Sequence, residues 1–148
     1  MPIHATNKKA HFEYEILEKL EAGLVLTGPE VKAVRSGHIS LAGAYVVFHG
    51  AAAQLLNAHI SPYPYAVPDK AYDPTHSRRI LLHQKEIAYL RGKLQEKGLT
   101  AIPLSVYTKG RYLKLSLGIA RGKKTHDKRA AIKRREIDRE VGRALREQ

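Results

Sequence analysis

Between Phe12 and Leu26 the chain alternates. The even positions are Phe12, Tyr14, Ile16, Glu18, Leu20, Ala22, Leu24 and Leu26, and the odd ones are mostly charged or small. A period of two sends successive side chains to opposite faces of an extended strand, so this run predicts one long half-buried strand with a break near Gly23. The pattern returns further along. Leu113, Leu115, Leu117 and Ile119 share one face of a predicted strand over Tyr112–Ile119, which pairs with Ile102–Tyr107 through the turn Thr108-Lys109-Gly110-Arg111. Ala44–His49 and Gln54–Ile60 read as another pair joined through Gly50. Such strands expose edges, and closing the sheet removes them. The expected fold is mainly β with short helices: an antiparallel β-barrel of the oligonucleotide-binding type, with two or three flanking helices and a basic C-terminal tail. A plain sandwich is the alternative.

Two helices interrupt the strands. Thr27 and Glu30 have the spacing of a capping box, Pro29 suits a first turn and Gly37 a stop. Ile87, Leu90 and Leu94 fall at i, i+3 and i+7, which predicts a helix from Gln84 to Lys97 ended by Gly98. Ser61–Ser77, with four prolines and three tyrosines, reads as a long irregular loop. No internal repeat is found.

Charge then narrows the function. Lys plus Arg number 26 against 14 Asp plus Glu, a net +12. Residues 1–120 hold 15 basic and 9 acidic residues (+6), and residues 121–148 hold 11 and 5 (also +6). The last 28 residues therefore carry half the excess, which places a boundary near Arg121-Gly122. An excess of this size attracts polyanions by releasing their counterions, so nucleic acid is the leading partner class. A membrane is disfavoured, because the basic segment lacks the apolar, aromatic face of an interfacial helix. No apolar run approaches the ~20 residues of a membrane span. The chain has no cysteine, hence no disulfide or thiolate zinc site, and no secretory leader is recognisable. The expected location is the cytoplasm.

Catalysis finds little support. Gly118-Ile119-Ala120-Arg121-Gly122-Lys123-Lys124-Thr125 is similar to a phosphate-binding loop, but three residues separate the glycines where four are required. The eight histidines are scattered without ligand spacing, and no Gly-x-Ser-x-Gly elbow is present. Neither catalytic residues, nor a cofactor, nor a metal is expected. Binding signals are better. Asn7, Lys8 and Lys9 form a basic N-terminal clamp, Lys32 and Arg35 share a face of the first helix, and Arg78 and Arg79 follow the tyrosine-rich loop. Tyr63, Tyr65 and Tyr72 either stack on unpaired bases or pin the loop to the barrel. Glu21 can accept hydrogen bonds from base or sugar donors. In the tail, Ile137, Val141 and Leu145 make a thin apolar stripe. A helix over Asp127–Gln148 is expected to be marginal alone and to form on a docked polyanion.

Four blocks then resemble one family. They are Asn7-Lys8-Lys9-Ala10 with Glu13-Tyr14; Glu21-Ala22-Gly23 with Gly28–Gly37; Asp73–His83; and Gly118–Arg129. In this order they are similar to the SsrA-binding protein family, also called small protein B. The resemblance implies a barrel that binds the tRNA-like part of tmRNA, carries it to stalled ribosomes, and replaces the missing anticodon arm. It implies a tail that enters the empty mRNA channel beside the small-subunit decoding centre and folds there. Matching positions imply tmRNA contacts for Asn7, Tyr14, Glu21 and Leu81, and a ribosome-directed segment containing Gly122, Lys123, Lys124, His126, Asp127, Lys128 and Arg129, which the neighbouring Lys133 and Arg134 extend. Phe12 stands where the family usually has histidine. The free protein is expected to be a monomer.

Overall fold

A computed structural model of the chain describes residues 2–122 and Arg139. Apart from Arg139, the expected tail helix lies outside the described residues, as do Lys123, Lys124, His126, Asp127, Lys128, Arg129, Lys133 and Arg134. The elements run β1 (Ile3–Thr6), α1 (Lys8–Glu13), β2 (Tyr14–Leu24), α2 (Gly28–Arg35), β3 (Ile39–Ser40), β4 (Tyr45–His49), β5 (Ala52–Leu56), β6 (His59–Ile60), β7 (Arg78–Leu81), α3 (Gln84–Lys93), β8 (Leu99–Lys109) and β9 (Tyr112–Gly122). Seven strands form one antiparallel sheet in the order β1-β8-β9-β2-β7-β5-β4, while β3 and β6 pair separately. The sheet curls until β4 lies close to β8 without joining its ladder. The architecture is the expected mainly β one with three short helices, and the barrel is incompletely closed. No helix among the described residues is long and apolar enough to cross a membrane.

Local chemistry accounts for α2 and for the last hairpin. Thr27 and Glu30 form both arms of the capping box, and proline stands in the first turn. At the other end Gly37, with φ at +82°, lets its own N–H reach the Val34 carbonyl and the His38 N–H reach that of Ala33. This double closure is a Schellman motif, which favours glycine at its left-handed position. In β9, Leu113, Leu115, Leu117 and Ile119 are all buried, as their spacing predicts.

The first predicted strand needs correction. Lys8–Glu13 is helical, and β2 begins only at Tyr14. A helix of six residues is too short for its own periodicity to show, so Phe12 merged into the alternation that follows. The break also sits elsewhere. The β2–β9 register shifts between Ile16 and Glu18, leaving Leu17 as an extra residue. Such a bulge reverses which face the following side chains take. Tyr14 and Ile16 therefore pack with Ala10, Ile102, Leu104 and Ala120 under α1, whereas Ala22 and Leu24 join the main core. Three further strands, β1, β3 and β7, lie where no strand is predicted. The second predicted helix ends at Lys93, with Leu94 as its C-cap and tight turns leading to Gly98.

The outer face of β2, β9 and β8 is thus divided. Its upper half is apolar and covered by α1. There Gly118 is a packing requirement, because an added Cβ would lie 3.0 Å from Leu104 Cδ1 and 3.3 Å from Ile16 Cγ2. Gly118→Ala is expected to destabilise the fold by about 1–3 kcal/mol through overpacking, read from urea midpoints at unchanged slope. The lower half of the face is open.

Candidate nucleic-acid interface

Beyond the bulge the outward positions follow from the register. Leu81 pairs with Gly23, Gly23 with Lys114 and Lys114 with Tyr107. The next row is Glu21, Ser116 and Ser105. Four strands therefore set a leucine, a glycine, a lysine and a tyrosine side by side, with a carboxylate one step away. Leu81 is 51% exposed, a large apolar side chain standing in water. It borders a groove of about 400 Å³ lined by Glu21, Gly23, Leu81, Leu82, His83, Glu86 and Lys114. Gly23 keeps this groove open, since a Cβ there would come within 3.2 Å of the Leu81 Cβ.

Glu21 is held from β8. The Tyr107 hydroxyl donates to Glu21 Oε2, and Lys109 Nζ lies 3.3 Å from Oε1. The Tyr107 bond chiefly lowers the Glu21 pKa, with Lys109 and Lys114 adding to it against a smaller opposing effect of burial. The Tyr107 phenol is pushed up to about 12, first by burial and then by the bond to Glu21 and its negative charge. Glu21 is therefore an ionised acceptor set among cations and a tyrosine. Lys114 Nζ also sits 5.8 Å from the centre of the Tyr112 ring, and Tyr112 is exposed. Aromatic faces interleaved with cations suit unpaired bases and their phosphates.

The α2 side is different. Lys32 and Arg35 are exposed as expected. Lys32 Nζ lies 5.9 Å from the Tyr63 ring centre, and Arg35 donates to the Arg111 carbonyl across 3.1 Å. The only acid in α2, Glu30, is turned inward and is 2% exposed. It meets Arg78, also 2% exposed, which donates to Glu30 Oε2 from Nε at 3.0 Å and from Nη2 at 2.7 Å. The remaining Arg78 donors reach the carbonyls of Ala58 and Pro74. His76 Nε2 stands 2.9 Å from the same carboxylate oxygen, and the Tyr72 hydroxyl 3.1 Å. Arg78 cannot neutralise RNA phosphates from this position. It is a structural residue that ties the loop to α2, because it is buried and each of its three guanidinium nitrogens already bonds inside the protein. Tyr72 pins the loop in the same network, while Tyr65 is 86% exposed and meets Tyr63 edge to face, ring centres 5.5 Å apart.

The other anticipated residues are scattered around this surface. Asn7 is buried as the N-cap of α1, accepting from the Ala10 N–H and donating to the Pro103 carbonyl. Its amide aims α1 and leaves Lys8 and Lys9 outermost. Tyr14 is half-buried beside α1, Arg79 is exposed on β7, and Gly122 ends β9 opposite Tyr14. Sequence reasoning missed Tyr107, Lys109 and Lys114. Alternation turns Tyr107 and Lys114 away from the core, but only strand order brings them beside Glu21. Among the described residues no three His, Asp or Glu side chains gather as a metal site.

The chain is similar to known proteins along most of its length. The SsrA-binding protein of Prochlorococcus marinus subsp. pastoris is 50% identical over 139 residues, 94% of this chain and 79% of that one. That of a Synechococcus strain is 49% identical over 141 residues, 95% of this chain and 92% of its own. A solved chain described as "tmRNA-SmpB: a journey to the center of the bacterial ribosome" superposes with a TM-score of 0.71 at 40% identity, covering 89% of this chain and 95% of that one. The family model described as SmpB protein matches residues 4–147, and the chain belongs to the SmpB protein family.

Proposed function

We propose that this chain is an RNA-binding adaptor, without catalytic chemistry of its own, that binds the tRNA-like part of tmRNA and delivers it to stalled ribosomes. The observation that carries the reading is the open half of the sheet, where Glu21, Leu81 and Lys114 line one groove and Tyr107 and Lys109 hold Glu21 from β8, in a chain of this family. Such a surface offers an acceptor, an apolar wall, an aromatic ring and two ammonium groups. Those are the elements that recognise a folded RNA with exposed loops. Lys8, Lys9, Lys32, Arg35 and Arg79 extend the positive field around it. Residues 123–148 follow the emptied mRNA channel, where their cations meet the RNA walls and the helix over Asp127–Gln148 forms. The protein acts as a monomer in the cytoplasm.

A gel-shift with tmRNA and an unrelated structured RNA, each at two salt concentrations, tests this. Affinity for both should fall with salt, because part of the binding is counterion release. The preference for tmRNA should persist at the higher salt, because contacts at the groove do not depend on bulk charge alone. Equal affinity for the two RNAs at both concentrations would leave only a generic basic protein.

A further inference from the structure

We propose that Tyr107 is a positioning residue for RNA recognition: its hydroxyl fixes the Glu21 carboxylate as an oriented, ionised acceptor for an RNA donor group. The inference rests on the reading that the open sheet face takes tmRNA, and it adds a residue that neither composition nor spacing singled out.

Geometry carries it. Glu21 lies on β2 and Tyr107 on β8, with β9 between them. Adjacent strands are separated by about 4.8 Å, so the phenol must reach over a whole strand to meet the carboxylate. The residue paired with Glu21 on the intervening strand is small, Ser116, which in turn pairs with Ser105 on β8. An exposed glutamate on a sheet ordinarily samples several rotamers. Here Oε2 accepts from Tyr107 and Lys109 braces the carboxylate from the same strand. Oε1 has only the longer Lys109 contact and keeps acceptor capacity toward the groove. The charged groups facing Glu21 are Lys109 from β8 and Lys114 from β9, with His83 and Glu86 across the groove. A lysine alone would neutralise the carboxylate without aiming it, whereas a phenol bound to one oxygen sets its plane.

Tyr107→Phe removes one oxygen and leaves the ring. It is expected to weaken tmRNA binding by ~10-fold, against ~100-fold for Glu21→Gln. A second measurement separates positioning from mere loss of structure. Without the Tyr107 proton the Glu21 pKa returns toward its ordinary value, so affinity should be lost at higher pH on acidification than in the unaltered protein, measured on the same RNA. Tyr107→Phe binding that matches the unaltered protein across the whole acid range, while Glu21→Gln binds weakly, would overturn the inference and leave the tmRNA reading standing. Full affinity in Glu21→Gln would overturn both the inference and the groove contact on which it depends.

Discussion

Replacing Glu30 by glutamine is expected to cost about 3–5 kcal/mol of folding stability, more than any change on the open sheet face. The reason is the burial of its partner. Arg78 is 2% exposed and directs two guanidinium nitrogens at Glu30 Oε2. A neutral amide would leave a full positive charge in the interior with its counter-charge gone. Glutamine also keeps only one acceptor oxygen, so either the oxygen shared by Arg78, Tyr72 and His76 or the one that takes the Thr27 N–H is replaced by a donor, and the anchor of the Ser61–Ser77 loop on α2 is weakened. The Thr27 half of the capping box would survive, since it uses the Glu30 backbone N–H. A double-mutant cycle with Arg78→Met checks the mechanism. The pair of substitutions should destabilise by clearly less than the sum of the two singles, because removing both charges leaves no unpaired ion. Additive losses would show that the ion pair is not the source of the effect.

The same carboxylate makes the fold acid-sensitive. Burial by itself pushes the Glu30 pKa up, but the Thr27 N–H, the Arg78 guanidinium and His76 outweigh it and hold the value at about 2, below the ordinary 4.5. A group whose pKa is depressed on folding contributes stability above its unfolded value and loses it as pH falls toward the folded one. Urea midpoints should therefore drop between about pH 4.5 and 2, and Glu30→Gln should flatten that part of the profile. An unchanged acid slope in the variant would place the sensitivity elsewhere.

Some of this was legible in the sequence, and the reasons are specific. α2 could be read because a capping box, a first-turn proline and a stop glycine act within eleven residues of one another. β9 could be read because no bulge interrupts Leu113–Ile119. β2 could be read only in part, since the extra residue at Leu17 turns one apparent face into two. α1 was hidden by its length. Arg78 was misjudged because an Arg-Arg pair after a polar loop looks like solvent-facing charge. Only the fold brings Glu30, 48 positions earlier, to its guanidinium. The groove shows the same limit. Glu21 is an acceptor candidate from its chemistry and Leu81 comes through the family resemblance, whereas Tyr107 and Lys109 become relevant through strand order, which no local pattern encodes.

Ending the chain after Gly122 is expected to abolish ribosome rescue while leaving the choice of tmRNA over other RNAs intact. The cut falls where the structure permits it. Gly122 is the last residue of β9 and pairs with Tyr14, so the whole β2–β9 ladder is retained. Among the described residues the buried clusters end at Ala120. What is lost is charge. Residues 123–148 carry ten lysines and arginines against five acids, a net +5 in 26 residues. Those cations attract any polyanion, so the truncated protein should bind all RNAs somewhat more weakly at low salt and show a shallower dependence of affinity on salt. Selectivity should stay, because the proposed groove contacts at Glu21, Leu81 and their neighbours are all retained. Rescue should fall by ~100-fold or more in a purified translation system stalled on a message without a stop codon, because nothing would then engage the vacated channel. Lys123→Glu, Lys124→Glu, Lys128→Glu and Arg129→Glu in the full-length chain should reproduce the defect without shortening it. A truncated protein that rescues as the full chain does would remove the tail from the mechanism and leave the barrel to account for all of it.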